Sequence, residues 1–248
     1  MCDRVSCEYE ESAAALRKII EKSRRIVFFG GAGVSTESGI PDFRSPEGLY
    51  AGDFEGLTPE MILSKSFFYL HPEQFFAFYR RYMVYPDARP NAAHLKLYEW
   101  EQRDILRGVV TQNVDGLHKA AGNRRVYEIH GSVHDNACMD CGAFYPLRAV
   151  LESEGIPRCP QCGGVIKPSV VLYGEAPDKY VCMGACREIS NADTLIVAGT
   201  SLSVEPAASF LQYFSGKNLV VVNREPTPAD SRASLVIRDS VAKVMGEI

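Results

Sequence analysis

The chain has 248 residues, 46% hydrophobic and 23% charged, with a net charge of -4, 8 cysteines and 1 tryptophan; at roughly 150 residues per domain it holds one or two domains and a sizeable core. Its 20 Gly and 14 Pro exclude collagen-like and low-complexity chains, and no apolar run approaches the ~20 residues that span a bilayer. The polar, acidic start Met1–Glu8 reads as no secretory signal, and the mildly acidic total argues against a dedicated nucleic-acid binder.

Residues 9–23 read as an amphipathic helix with Tyr9, Ala13, Leu16 and Ile20 on one face. Nearly continuous apolar runs follow: Ile26–Phe29, Val109–Thr111, Leu195–Ala198, Leu219–Val222 and, more weakly, Leu235–Ile237. Runs without polar alternation suit strands buried on both faces, so the expected class is α/β with a parallel sheet. Several end in polar or glycine-rich turns: Gly30–Gly33, Gln112–Asp115, Gly199–Ser201 and Asn223–Glu225. Open α/β sheets bind ligands at such carboxyl ends. Two stretches break the rhythm and read as insertions. Residues 44–90 are rich in aromatic side chains and look helical in their second half; residues 134–166 hold four cysteines and no clear periodicity.

Without export, thiols stay reduced, so clustered cysteines point to metal binding or catalysis instead of a disulfide framework. Cys138-x-x-Cys141, a gap of 17 residues, then Cys159-x-x-Cys162 matches the tetrathiolate zinc pattern. Gly142 and Gly163-Gly164 allow the knuckle turns. Four thiolates close the coordination sphere, which makes such a zinc structural; an iron–sulfur cluster is the residual alternative. Cys182 and Cys186, four apart on an expected helix, read as buried thiols without a ligand, and Cys2 and Cys7 fall in a terminus read as mobile.

Phe28 to Ser35 (Phe-Phe-Gly-Gly-Ala-Gly-Val-Ser) reads as a strand running into a glycine turn, where backbone N–H groups can approach a pyrophosphate. It departs from the dinucleotide fingerprint. Thr36 stands where the third glycine belongs, and the expected acidic residue falls near Asp53 with no strand before it. Taken alone, a tight structural turn is the better reading. The sequel Gly39-Ile40-Pro41-Asp42-Phe43-Arg44 is more informative, because it sets a carboxylate, an aromatic ring and a guanidinium side by side.

Here the chain resembles the sirtuins, the NAD-dependent protein lysine deacylases. The matching blocks run in order: Gly31–Ser35 with Gly39–Arg44, Thr111–His118, Ala121-Gly122, Glu128–Gly131, the two Cys-x-x-Cys pairs, Val170–Glu175, Gly199–Leu202 and Val222–Pro226. The resemblance implies a large Rossmann-like parallel-sheet domain, approximately 1–43, 91–133 and 167–248. It implies a second, smaller domain made of a helical module, approximately 44–90, and a zinc-binding module, approximately 134–166. NAD and an acyl-lysine peptide would meet between the two.

By the same resemblance, Ala32, Gly33 and Arg44 hold the pyrophosphate side, with Gly31 and Thr36 in the same cofactor set. Gly199, Thr200, Ser201, Asn223, Arg224, Glu225 and Val241 hold the adenosine half. Ile40, Asp42, Asn113 and Asp115 surround nicotinamide and its ribose, with Gln112 on the ribose. Nicotinamide is a good leaving group from the anomeric carbon. Asp42 would bind its carboxamide, Asn113 would orient the ribose, and Phe43 would cover the reactive face. His130 is the candidate general base for a ribose hydroxyl, since imidazole titrates near neutrality, and Asn113 and Asp115 complete the catalytic set. His118 is expected to serve structure, and no role is assigned to His71, His94 or His134.

On the substrate side, Val170–Glu175 reads as an extended edge, and the resemblance implies that it pairs with the substrate peptide as an added strand. Phe43, Val171 and Tyr173 would line the lysine tunnel beside Gly174 and Glu175. Sirtuins that prefer succinyl or malonyl groups carry Tyr-x-x-Arg in the helical module, whereas here Tyr82 stands three residues after Tyr79. Acetyl and other uncharged acyl groups are therefore expected, with Arg80 or Arg81 substituting only in a shifted helix register. The rivals are ADP-ribosyl transfer onto protein, a non-catalytic zinc-containing interaction module, and a dehydrogenase disfavoured by the broken fingerprint. Expected cofactors are NAD and one structural Zn²⁺; expected partners are acetyl-lysine proteins or peptides, with no nucleic acid or membrane, in the cytoplasm. Oligomeric state is not predicted.

Overall fold

A computed structural model describes residues 4–46, 48–52, 54 and 56–248, with the backbone alone for residues 4–8. Cys2, Asp53 and the side chain of Cys7 lie outside the described residues. Strands β1 (Ile26–Gly30), β2 (Leu106–Thr111), β3 (Val126–Glu128), β7 (Thr194–Ala198), β8 (Asn218–Val222) and β9 (Leu235–Ile237) form a six-stranded sheet in the order β3-β2-β1-β7-β8-β9. Every pairing in it is parallel. Strands β4 (Gly131–Cys138), β5 (Phe144–Pro146) and β6 (Ile166–Val170) make a separate antiparallel sheet in the order β5-β4-β6.

The helices are α1 (Arg4–Lys22), α2 (Pro59–Ile62), α3 (Lys65–Leu70), α4 (Pro72–Tyr82), α5 (Ala92–Gln102), α6 (Leu117–Ala120), α7 (Arg148–Leu151), α8 (Lys179–Asn191) and α9 (Val241–Gly246). The apolar strand runs are buried on both faces because helices cover both. Ile26 and Phe28 pack with Leu16 and Ile20 of α1, Leu97 and Trp100 of α5, and Val244 and Met245 of α9. Val27 and Phe29, pointing the other way, pack with Ala185 and Ile189 of α8 and with Phe210. Each such large side chain stabilises the fold by about 1.5–3 kcal/mol on transfer from water.

A third core joins the two insertions. Phe68, Phe75, Phe76, Phe78 and Tyr79 of the helical stretch pack with Val133, Val150, Ile166 and Val170 around the cysteine module. Arg80 stitches them further, donating to Val150 O at 2.9 Å, Ser153 Oγ at 2.9 Å and Gly155 O at 2.6 Å.

One expectation needs correction, and two local features add to the sequence reading. Helix α1 starts at Arg4 and so includes Cys7, which had been read as part of a mobile terminus. Strand β3 had no periodic signal, because three half-buried residues on a sheet edge carry no continuous apolar run. After Val170 the backbone is held along one side. Val171 N–H donates to His130 O and Tyr173 N–H to Leu63 O, both at 2.9 Å, and the chain turns at Gly174, whose φ is 88°.

Candidate active site

Strands β1 and β7 are neighbours, yet the chain leaves β1 toward β2 and β3 and leaves β7 toward β8 and β9. The loops that follow them diverge and open a crevice, which is where open α/β sheets take ligands. A cleft of about 900 Å³ lies there, within the size range of small-molecule sites.

The glycine turn after β1 is one wall. Gly31 N–H donates to Ala198 O at 3.1 Å and Gly33 N–H to Gly199 O at 2.9 Å. A Cβ on Gly31 would sit 2.7 Å from Thr200 Cβ, and one on Gly33 would sit 2.8 Å from Gly199 Cα. These glycines let two loops touch, and both line the cleft. Ala32 and Thr36 line the cleft beside them, and Gly199, Thr200 and Ser201 face them. Asn223, Arg224 and Glu225 after β8, with Val241 opening α9, extend the same cleft. Gln112 Nε2 donates to Thr200 Oγ1 at 2.8 Å, tying the loop after β2 to the loop after β7.

Deeper in, Ser35 is buried and joins two predicted residues. Its hydroxyl donates to Asp115 Oδ2 at 2.7 Å and accepts from Asn113 Nδ2 at 3.1 Å. Asp115 Oδ1 accepts from Leu117 N–H at 2.9 Å, and His134 Nε2 lies 3.0 Å from Asp115 O. Asn113 lines the cleft, whereas Asp115 and Ile40 stand behind its lining. Asp115 thus orients Ser35, and Ser35 orients Asn113. Sequence reasoning quoted Ser35 only as part of a block; its place beside the glycine turn was the available signal. His134 had none.

His130 occupies the corner between β3 and β4. Its Nδ1 is 3.0 Å from Gln112 O; a carbonyl only accepts, so Nδ1 carries the hydrogen and Nε2 keeps its lone pair. Burial lowers its pKa from 6.5, outweighing the opposing hydrogen bond to Gln112. The imidazole is neutral at pH 7, as a base must be. Gly131 has φ 76°, and a Cβ there would overlap Ser169 O, so the corner requires glycine.

Asp42 Oδ1 accepts from the N–H groups of Arg44 at 3.0 Å and Ser45 at 2.8 Å, shaping the turn that carries Phe43 and Arg44 into the cleft. Opposite stand Val171, Tyr173, Gly174 and Glu175. Glu175 Oε2 accepts from Lys167 Nζ and Leu172 N–H, both at 3.0 Å, which locks that turn. Leu63 and Met83 also line the cleft. Tyr79 is fully buried, and its hydroxyl has no partner among the described residues.

Away from the cleft, the sulfurs of Cys138, Cys141, Cys159 and Cys162 all lie within 4.8 Å of one another. Cys138 and Cys162 are 3.4 Å apart and Cys141 and Cys159 3.7 Å. Tetrahedral zinc with Zn–S bonds of about 2.3 Å spaces its sulfurs about 3.8 Å apart, so the four residues fit the ion. Gly142 N–H donates to Cys138 O and Gly163 N–H to Cys159 O, and both glycines have positive φ. Cys182 and Cys186 are free, half-buried thiols on α8.

The model of the Sir2 family matches residues 31–206. A protein from Clostridium perfringens (strain 13 / Type A) named NAD-dependent protein deacetylase is 54% identical over 235 residues, covering 94% of this chain and 96% of its own. A solved Sir2 variant with deacetylated p53 peptide and 3'-O-acetyl ADP-ribose has a TM-score of 0.88 at 35% identity, covering 95% of this chain and 96% of that one. A Sir2–p53 peptide–NAD+ structure has a TM-score of 0.83 at 36% identity, covering 93% and 94%. With blocks, topology and cleft in agreement along nearly its whole length, the chain belongs to the Sir2 family.

Proposed function

We propose that this chain is an NAD-dependent protein deacetylase, removing acetyl and other uncharged acyl groups from lysines to give nicotinamide, free lysine and O-acetyl-ADP-ribose. One observation carries the reading: a single cleft is lined by His130, with its Nδ1 held at Gln112 O, by Asn113, backed by Ser35 and Asp115, and by an apolar wall.

NAD, when bound, supplies an anomeric carbon with nicotinamide as its leaving group. Asn113, held by Ser35, orients the ribose. Asp42 keeps Oδ2 for the carboxamide, since Oδ1 already accepts two backbone N–H groups. Arg44 faces the pyrophosphate, with Ala32 and Thr36 beside it. The loops at Gly199–Ser201 and Asn223–Glu225, with Val241, take the adenosine half. His130 Nε2 accepts a ribose hydroxyl proton, while Phe43 shields the reacting face from water. Ile40 and Asp115 act from behind the lining.

The lysine stem runs between Phe43, Val171 and Tyr173, with Gly174 and Glu175 beside the peptide. Leu63 and Met83 offer no charge to an acyl carboxylate, and Arg80 is engaged at Val150, Ser153 and Gly155. Zinc on Cys138, Cys141, Cys159 and Cys162 is structural. We assign approximately 1–43, 91–133 and 167–248 to the large domain and 44–90 with 134–166 to the small one. The shared aromatic core of the two insertions supports that division. No described helix is long and apolar enough to cross a membrane; a cytoplasmic setting is part of the same reading, because tetrathiolate zinc spacing suits a reducing compartment.

The test mixes the protein with NAD and an acetyl-lysine peptide and follows nicotinamide and peptide mass. One nicotinamide per acetyl lost is expected. Deacetylation without NAD, or ADP-ribose accumulating on the peptide, would refute the reading. Equal turnover of a succinylated peptide would refute the acyl preference.

A further inference from the structure

We propose that the paired hydroxyls of Tyr50 and Tyr173 couple acyl-peptide binding to the placement of Phe43 and Arg44, and so to NAD affinity. This rests on the deacetylase reading above. The two oxygens are 2.9 Å apart, and both rings line the cleft from different walls.

Tyr50 belongs to the cofactor side. It sits in the tight turn Leu49–Ala51, its N–H donates to Phe43 O at 2.9 Å, and Leu49 N–H donates to Asp42 O at 2.8 Å. The Phe43 ring meets the Tyr50 ring edge-on, with centroids 5.7 Å apart, and the Arg44 guanidinium lies 5.3 Å from the Tyr50 ring centre. A shift of Tyr50 therefore shifts the residue over the reacting ribose and the residue facing the pyrophosphate.

Tyr173 belongs to the substrate side and is held from behind. Its N–H donates to Leu63 O at 2.9 Å and its carbonyl accepts from Lys65 N–H at 2.8 Å. The residue is left 41% exposed, on the wall assigned to the lysine stem. Burial, reinforced by the Tyr173 hydroxyl, pushes the Tyr50 pKa well up, so the Tyr50 phenol keeps its hydrogen at working pH.

An exposed hydroxyl pair competes with water and contributes little; the same pair strengthens when a ligand excludes water. An acyl-lysine stem packed on Tyr173 dries the bond, and the bond holds Tyr50, Phe43 and Arg44 in the arrangement that receives NAD. By linkage, NAD must raise peptide affinity by the same factor.

The test measures binding of a carbocyclic, non-cleavable NAD analogue with and without an acetyl-lysine peptide, in wild type, Tyr50→Phe, Tyr173→Phe and the double variant. Wild type should bind the analogue more tightly with peptide present. Each single variant should lose about three- to tenfold of that gain, and the double variant no more than either single. Affinity for the analogue without peptide should change much less. In turnover, KM for NAD at saturating peptide should rise more than kcat falls. Unchanged enhancement in either folded single variant, or additive losses in the double, overturns the coupling. A wild-type protein that leaves both NAD and the acetylated peptide intact overturns the deacetylase reading instead, and the coupling with it. Should Tyr50→Phe fail to fold, Tyr173→Phe carries the same decision, because its backbone anchors do not involve the hydroxyl.

Discussion

At the residue scale, His130 shows what burial does to a titrating side chain. Its hydrogen bond to Gln112 O selects the tautomer, and desolvation lowers its pKa below the ordinary 6.5. A base must be neutral, so kcat/KM for deacetylation should fall as pH drops through a value below 6.5 and stay flat above it on that limb. A rate profile whose acid limb vanishes in His130→Gln checks the assignment, with activity lowered by about 10²–10⁴-fold. An acid limb unchanged in that variant would point to another group. Tyr79 makes the opposite case. Its hydroxyl is buried without a partner among the described residues, so Tyr79→Phe should raise stability, by about 1 kcal/mol, in denaturant titration. A loss of stability would mean that an unseen partner satisfies it. The sequence identified His130 through its block, but no residue pattern announces an orphaned hydroxyl; only packing reveals it.

At the element scale, the cysteine module is a sheet of three short strands, one helix of four residues and two knuckles. Its strands β5 and β4 present Phe144 to solvent at 83% exposure, so apolar burial alone holds it weakly. Four thiolates on one zinc ion supply what the small core lacks. Removing zinc with a chelator should unfold this module, seen as one zinc released per chain together with lost antiparallel-strand signal. Since Arg80 and the shared aromatic core connect it to the helical insertion, that insertion should loosen too. Retained module structure without metal would show that the core suffices. The cysteine spacing was legible from sequence because metal ligands must sit at fixed short separations. The strands around them were not legible, since their periodicity is interrupted by the knuckles.

At the scale of the whole molecule, acid should unfold the protein through two buried histidines. His94 is fully buried, and burial, opposed by Asp115, lowers its pKa to about 4. Burial, with the neighbouring His94, holds His118 well below 6.5. Their rings, one on α5 and one on α6, are 4.6 Å apart. In the unfolded chain both titrate near 6.5, so the unfolded state takes protons that the folded state refuses. Stability is complete above pH 6.5 and falls on acidification from there to about pH 4. From His94 alone the loss is about 3 kcal/mol, at 1.4 kcal/mol per pH unit. Denaturant midpoints between pH 7 and pH 4 measure it; midpoints in His94→Gln that fall just as steeply would refute the assignment.

The sequence by itself determined the parallel sheet, the zinc ligands and the blocks that carry NAD chemistry, because each depends on local pattern: continuous apolar runs, short ligand spacings, glycine turns. The tertiary structure alone decided how those pieces act together. The order β3-β2-β1-β7-β8-β9 brings residue 33 against residue 199, so Gly33 and Gly199 are glycines for each other's sake. Ser35 gains its role from Asn113 and Asp115, and Tyr50 from Tyr173, across 123 positions of chain. Side chains that far apart meet only when the sheet and the shared aromatic core have formed, and no one-dimensional pattern encodes that distance.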